Sequence, residues 1–96
     1  MIKVNRNNNV ITISGHACSD EYGKDIVCAS TSSIIYTTIN AIARIKENAI
    51  EVKDNKDMEI IIKTEDEIVL SLIENMLDLL KELQKDYPKN INVKER

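Results

Sequence analysis

Apolar residues recur with two different periods along the chain, and the order of these periods is the strongest constraint on its fold. Residues 2–6 and 10–14 alternate between apolar and polar positions, which is the pattern of half-buried β-strands. The asparagine run at 7–9 favours a tight turn between them, because asparagine tolerates a positive φ. The two segments are therefore predicted to form a β-hairpin.

The next apolar pattern repeats every three to four residues and indicates a helix. It predicts a helix from Ile26 to about Asn48, with Asp25 as its N-cap. The segment from Gly15 to Lys24 has no periodicity and contains both glycines of the chain, so it is predicted to be a loop. The stripe expected to face the core consists of Cys28, Thr31, Ile35, Ile39 and Ile42, flanked by Val27, Ile34, Thr38 and Ile45.

In the second half of the chain, the apolar patterns again predict two strands followed by a helix. Residues 49–52 and 58–63 predict two strands joined by a polar turn. Residues 64–67, Thr-Glu-Asp-Glu, fit a capping box for a helix that runs to about Asp86, before Pro88, and residues 90–94 can form a last strand. The order ββαββαβ predicts one α+β domain over residues 1–96, with two helices packed on an antiparallel sheet.

Composition and charge exclude several functional classes. A chain of 96 residues with 43% hydrophobic content suits a single core. The net charge is −3 and the 13 basic residues are scattered, which argues against direct nucleic-acid binding because phosphate recognition needs clustered Lys and Arg. No apolar run of roughly 20 residues suggests a membrane span and no signal peptide is recognised. A cytoplasmic protein with reduced thiols is therefore expected.

The reactive side chains are concentrated in residues 15–30, which hold the only histidine, His16, and both cysteines, Cys18 and Cys28. If Asp25 caps the helix, Cys28 is the third helical residue. Unpaired amides and the positive end of the helix dipole would then favour the thiolate and lower the thiol pKa from its free value of about 8.5. His16 can act as the general base for such a nucleophile.

Other interpretations of the same residues stay open at this point. A cysteine in an apolar helical stripe also suits a small buried hydrophobic residue. A zinc site of His16, Cys18 and Cys28 would have only three soft ligands, without the usual paired C-x-x-C spacing. We therefore predict no metal and no cofactor.

Two short motifs in this window resemble the ribosomal-processing cysteine proteases, the Prp family. The motifs are Ser14-Gly15-His16-Ala17 and Gly23-Lys24-Asp25-Ile26-Val27-Cys28-Ala29, with Ser32 four residues after the cysteine. By position, the resemblance implies that Cys28 is the nucleophile and His16 the general base. It also implies that Gly15 and Gly23 are hinges of a mobile loop and that Ser32 belongs to the substrate site. From its own position, Asp25 is predicted to be a helix cap first and an orienter of His16 second.

The resemblance further implies a substrate and an assembly state. Such proteases remove an N-terminal extension from large-ribosomal-subunit protein twenty-seven after a phenylalanine-containing motif, and they act as homodimers. Residues 29–33, Ala-Ser-Thr-Ser-Ser, are richer in hydroxyls than the usual alanine-rich run, so the finer substrate contacts do not follow from the resemblance. The alternative is a non-catalytic ribosome-associated adaptor or structural domain, in which His16 and Cys28 are only structural.

Overall fold

The computed structural model describes residues 1–15 and 24–95, with residues 24 and 25 described by their backbone only. Its elements follow the predicted order, so the α+β architecture with two helices is confirmed. The elements are β1 (Ile2–Asn7), β2 (Val10–Ser14), α1 (Lys24–Ile45), β3 (Ile50–Asp54), β4 (Met58–Ile62), α2 (Glu67–Asp86) and β5 (Ile91–Glu95).

The five strands form one mixed sheet in the order β3-β4-β2-β1-β5. Three neighbouring pairs are antiparallel, but β5 pairs with β1 in parallel, so the prediction of a purely antiparallel sheet is wrong at this strand. The reason is the crossover through α2. β4 already runs parallel to β1. Because α2 crosses back over the sheet, β5 runs in the same direction as β4 and is therefore parallel to β1 as well.

The core lies between one face of this sheet and the two helices. The register places Val4 opposite Ile13 and Ile11 opposite Ile60 on this face, whereas Lys3 and Asn5 point to the exposed face. The helices pack against each other over the apolar face. The fully buried side chains are Val4, Ile11, Val27, Ile42, Ile60, Val69, Ile73, Met76, Leu77, Leu80 and Ile91. Each contributes about 1.5–3 kcal/mol by leaving water.

The bounds of α1 differ from the prediction at both ends. The helix begins at Lys24 instead of Ile26 and ends at Ile45 instead of Asn48. Asn48 has a φ of 62°, a left-handed conformation that does not continue a helix and that asparagine tolerates. Asp25 lies within the first turn of α1 and not before it, so the predicted position of the cap is wrong. The role of the Asp25 side chain stays a prediction.

By length and composition alone, the segment Ile26–Ile45 of α1 is long and apolar enough to cross a membrane, which the sequence analysis did not expect. The same segment packs a stripe of side chains against the sheet. Val27, Ile35 and Ile42 are buried, together with two threonines. Core helices of globular proteins meet the same criterion, so length and composition alone do not identify a membrane span.

The start of α2 is fixed by Asp66. Its carboxylate accepts hydrogen bonds from the amides of Ile68 at 2.9 Å and Val69 at 3.1 Å. The predicted capping box, with Thr64 as the cap, is therefore wrong. The Thr64 hydroxyl oxygen instead accepts from the amide of Asp66 at 3.1 Å, just before the helix. Two amides that lack intrahelical partners are satisfied by one side chain.

Candidate active-site cleft

A cleft with a volume of about 210 Å³ lies between the first half of α1 and one end of the sheet. From α1 it is lined by Cys28, Thr31, Ser32, Ile35 and Tyr36, whose spacing places them on one face of the helix. The sheet side contributes Ile2, Ile13, Gly15, Asp54, Lys56 and Met58. The cleft therefore exists only where the predicted hairpin, the first helix and the β3–β4 connection meet.

The floor of the cleft is apolar. Ile13 of β2 lies directly opposite Met58 of β4, and both are partly buried against the core. Ile2 and Ile35, each 3% exposed, complete this surface. Such a floor favours an apolar group of a ligand, because its burial removes apolar area from water.

Cys28 lies on the cleft side of α1, half-buried and packed against the core. Because α1 begins at Lys24, Cys28 is its fifth residue and not its third, as the sequence predicted. An amide at this position can pair with the carbonyl four residues earlier. The thiol thus lies beyond the unpaired amides, and the helix dipole, which acts mainly within the first turn, contributes less to a thiolate than expected.

Gly15 directly follows β2 at the rim of the cleft, in a conformation that only glycine fits well. Its φ is 84°, and a Cβ at this position would lie 2.2 Å from the carbonyl oxygen of Met1. The close approach explains why a glycine stands immediately before His16. Its predicted role as a hinge stays a prediction, and His16, Cys18 and Gly23 lie outside the described residues.

The two hydroxyl residues that follow Cys28 differ in environment. Ser32 is exposed and lines the cleft, and its role in a substrate site stays a prediction. Thr31 is 3% exposed, and within the described part of the chain its Oγ1 has no hydrogen-bond partner. Thr38, buried on the same helix, donates from its hydroxyl to the carbonyl of Ile34 at 2.9 Å. A buried threonine of this helix can thus pair its hydroxyl with the backbone. Thr31, which lines the cleft, does not do so within the described residues.

The mouth of the cleft is polar. The Tyr36 hydroxyl donates to Asp54 Oδ2 in a long hydrogen bond of 3.2 Å, which joins α1 to the end of β3. Partial loss of solvent raises the pKa of Tyr36, and the hydrogen bond to the Asp54 carboxylate raises it further. Lys56, in the β3–β4 turn, brings a cation to the same rim.

The cleft joins three of the residues that the sequence singled out, Gly15, Cys28 and Ser32. Two residues of the cleft, Tyr36 and Asp54, were not predicted from the sequence. Tyr36 carries a local signal, since it lies eight residues after Cys28 and hence on the same helical face. Asp54 carries none, because only the pairing of β3 with β4 brings it to the cleft.

Residues 1–92 match the family described as Cysteine protease Prp. The ribosomal processing cysteine protease Prp of Mycoplasma genitalium is 43% identical over 56 residues, which cover 58% of this chain and 54% of that protein. The protein of the same name from Staphylococcus aureus is 30% identical over 87 residues, which cover 86% of this chain and 82% of the relative.

Solved structures agree with this match. The S. aureus ribosomal processing protease Prp in complex with a substrate peptide superposes with a TM-score of 0.85 at 21% identity, over 99% of this chain and 97% of the other. SMU.848 from Streptococcus mutans gives a TM-score of 0.83 at 26% identity, over 98% and 90%. The fold is therefore shared along nearly the whole length of the chain.

Proposed function

Because the chain belongs to the cysteine protease Prp family, we propose that it is an endopeptidase that removes the N-terminal extension of large-ribosomal-subunit protein twenty-seven. The observation that carries this proposal is the position of Cys28. Its side chain lines a cleft with an apolar floor, in a chain that matches the family over residues 1–92. Cys28 is the nucleophile of the proposed reaction and His16 is its general base.

In the first half of the reaction, the His16 imidazole takes the thiol proton and the sulfur of Cys28 attacks the carbonyl carbon of the scissile peptide bond. The carbonyl π electrons move onto the oxygen. When the tetrahedral intermediate collapses, the C–N bond breaks and the imidazolium gives its proton to the leaving amine. A thioester to Cys28 remains, and the C-terminal product is free to leave.

In the second half, water hydrolyses the thioester. His16 takes a proton from the water, the resulting hydroxide attacks the carbonyl, and the C–S bond breaks to release the N-terminal product as a carboxylic acid. The imidazolium then returns its proton to the departing thiolate, which restores the Cys28 thiol and the neutral imidazole. The S. aureus relative has been crystallised with a covalently linked product peptide, and a covalent step of this kind is what we propose for Cys28.

The size and polarity of the cleft support a substrate that binds as an extended segment. Its volume of about 210 Å³ is below the roughly 300–1,000 Å³ of sites that enclose a whole small molecule. It suits one large apolar side chain on the floor formed by Ile13, Ile35 and Met58. A phenylalanine next to the scissile bond meets this requirement, while the polar rim remains available for main-chain groups.

The proposal is tested by mass spectrometry of the organism's own precursor of ribosomal protein twenty-seven after incubation with the enzyme. Cys28→Ala should lower the cleavage rate by at least about a thousandfold, as loss of a nucleophile does. His16→Ala should act in the same direction. Cys18→Ala is the matched control, since no role is assigned to it, and should cleave at the wild-type rate. Wild-type turnover by Cys28→Ala would exclude a peptidase that uses this thiol.

Alkylation separates the peptidase from the non-catalytic adaptor. A thiol activated by a histidine reacts faster with iodoacetamide than an ordinary one near neutral pH, because the thiolate is the nucleophile. Cys28 should therefore be modified faster than Cys18, and His16→Ala should remove the difference. Equal rates in the wild-type protein would favour the adaptor.

The proposal includes a homodimer in the cytoplasm. Several large apolar side chains of the helices are exposed, among them Ile45 at 49% and Ile68 at 59%, and a second copy could cover some of them. Light scattering over a range of concentrations measures the assembly state. A ribosomal protein precursor is expected in the cytoplasm, and cell fractionation shows whether the protease is found there.

A further inference from the structure

The mouth of the cleft holds an aromatic ring and a carboxylate in a defined arrangement that the proposed chemistry does not use. Tyr36 is 44% exposed, and its ring borders the cleft. Its hydroxyl donates to Oδ2 of Asp54 at 3.2 Å, and Asp54 is itself exposed at the end of β3. An aromatic face and a carboxylate are thus offered to solvent side by side, joined by a hydrogen bond that limits their motion.

We propose that Tyr36 and Asp54 form a cation subsite that binds a lysine or arginine side chain of the substrate. The inference rests on the proposed peptidase function, which supplies the extended chain to which that side chain belongs. The apolar stem of lysine or arginine can lie along the tyrosine ring while its charged end pairs with the carboxylate.

The charges at the rim of the cleft favour the binding of a cation over that of an anion or a neutral group. The Asp54 carboxylate accepts the Tyr36 hydrogen bond through Oδ2, and a carboxylate has a second oxygen, Oδ1, that can accept from a bound cation. The raised pKa of Tyr36 keeps its hydroxyl a donor to that carboxylate. Lys56 opposes a second cation, but it is exposed and forms no ion pair with Asp54 within the described residues. Its long flexible stem allows the ammonium to turn away.

The distance along α1 locates the bound side chain in the substrate sequence. Tyr36 follows Cys28 by eight residues, which corresponds to about 12 Å at the helical rise of 1.5 Å per residue. An extended peptide advances about 3.3 Å per residue. The lysine or arginine should therefore stand three or four residues from the scissile bond, on one side of it.

The test measures binding and is independent of catalysis. The Cys28→Ala protein is titrated into a fluorescent peptide that covers the N-terminal extension and cleavage site of the organism's own ribosomal protein twenty-seven. The third and fourth residues on each side of the cleavage site are replaced in turn by lysine or by glutamine, and Kd is read from fluorescence anisotropy. At one or two adjacent positions of the peptide, the lysine-containing peptide should bind about two- to tenfold more tightly than the glutamine-containing one.

Three variants on the Cys28→Ala background test the assignment of residues. Asp54→Asn keeps a hydrogen-bond acceptor for Tyr36 but loses the charge, so the lysine preference should fall to about one. Lys56→Gln removes the opposing cation and should increase the preference. Asp57→Asn is the matched control, because Asp57 lies in the same turn and does not line the cleft. It should leave the preference unchanged.

The outcomes separate this inference from the proposed function. Equal affinity for the lysine and glutamine peptides at all four positions, or no binding of any peptide, overturns the cation subsite. A preference that Asp57→Asn reduces as much as Asp54→Asn also overturns it, because the effect would then come from overall charge. Cleavage of the precursor by the wild-type enzyme is measured separately, and its absence contradicts the peptidase without changing the affinity ratio.

Discussion

The two helices lie on the same face of the sheet, but their packing differs. The buried side chains of α2 are all apolar, Val69, Ile73, Met76, Leu77 and Leu80, and an aspartate caps its first turn. α1 buries two threonines among its core residues and leaves Ile26 and Tyr36 more than 40% exposed. α2 lines no part of the cleft, whereas α1 supplies five of its residues.

This difference shows how a small domain can divide stability and function between its elements. A cleft needs exposed and unpaired groups, and each of these costs stability relative to a filled core. In this molecule α1 alone supplies the helical side of the cleft, including the unpaired hydroxyl of Thr31, whereas the exposed apolar side chains of α2, Ile68 and Leu79, lie outside the cleft lining. Most of the apolar side chains that the two helices bury belong to α2. Substitutions in α2 should therefore alter stability, whereas substitutions on the cleft side of α1 should alter activity.

The largest effect on stability is expected from Leu77→Ala in α2. Leu77 is fully buried, so truncation leaves a cavity and should lower the free energy of unfolding by about 2–5 kcal/mol. Urea denaturation measures this value. Leu79 is 44% exposed on the same helix, and Leu79→Ala should cost less than about 0.5 kcal/mol. Similar losses for the two variants would mean that α2 does not pack as described.

A smaller effect is expected at the start of α2. Asp66→Ala leaves the amides of Ile68 and Val69 without their acceptor and should lower stability by about 0.5–2 kcal/mol. Asp66→Asn preserves a capping side chain and should recover most of this loss. Because Asp66 is not part of the cleft lining, kcat/KM of the folded enzyme should not change in either variant. If Asp66→Asn is as unstable as the alanine variant, charge and not capping accounts for the effect.

The smallest effect is a difference between two threonines of α1. Thr38→Val loses a hydrogen bond to a backbone carbonyl, whereas Thr31→Val removes a buried hydroxyl that has no partner in the described structure. Since an unpaired buried polar group is unfavourable, Thr31→Val should be about 1 kcal/mol more stable than Thr38→Val. Thermal unfolding of both variants under the same conditions gives the comparison. The reverse order would show that Thr31 has a partner that contributes to stability.

The sequence predicted the elements of the fold better than their pairing. Alternation and helical periodicity identified every strand and both helices, because these patterns depend on neighbouring residues. The direction of β5 was wrong, since it depends on how α2 crosses the sheet and not on any residue of β5 itself. The cap of α2 was misassigned for a local reason, because Thr64 and Asp66 can both cap and only their competition for the amides decides between them.

For the cleft, the sequence predicted the residues that belong to a motif and missed those that long-range contacts bring in. Gly15, Cys28 and Ser32, which belong to the motif, line the cleft together, and their roles stay predictions. Asp54 and Lys56 reach it only because β3 pairs with β4, and no spacing in the sequence records that contact. Thr31 was assigned to the apolar stripe correctly, but an orphaned hydroxyl can be recognised only when all neighbouring groups are placed.

The parallel pairing of β5 with β1 has a consequence for how the chain is made. β1 is synthesised first and finds β2 within a few residues, but its other edge is satisfied only by residues from Ile91 onward. At about 5–20 residues per second, roughly 4–18 s of translation separate Ile2 from its partner Ile91. During that interval the nascent hairpin exposes an unpaired strand edge, which is a site for association with other chains. β1, an interior strand of the finished sheet, is thus a vulnerable edge until translation has passed β5.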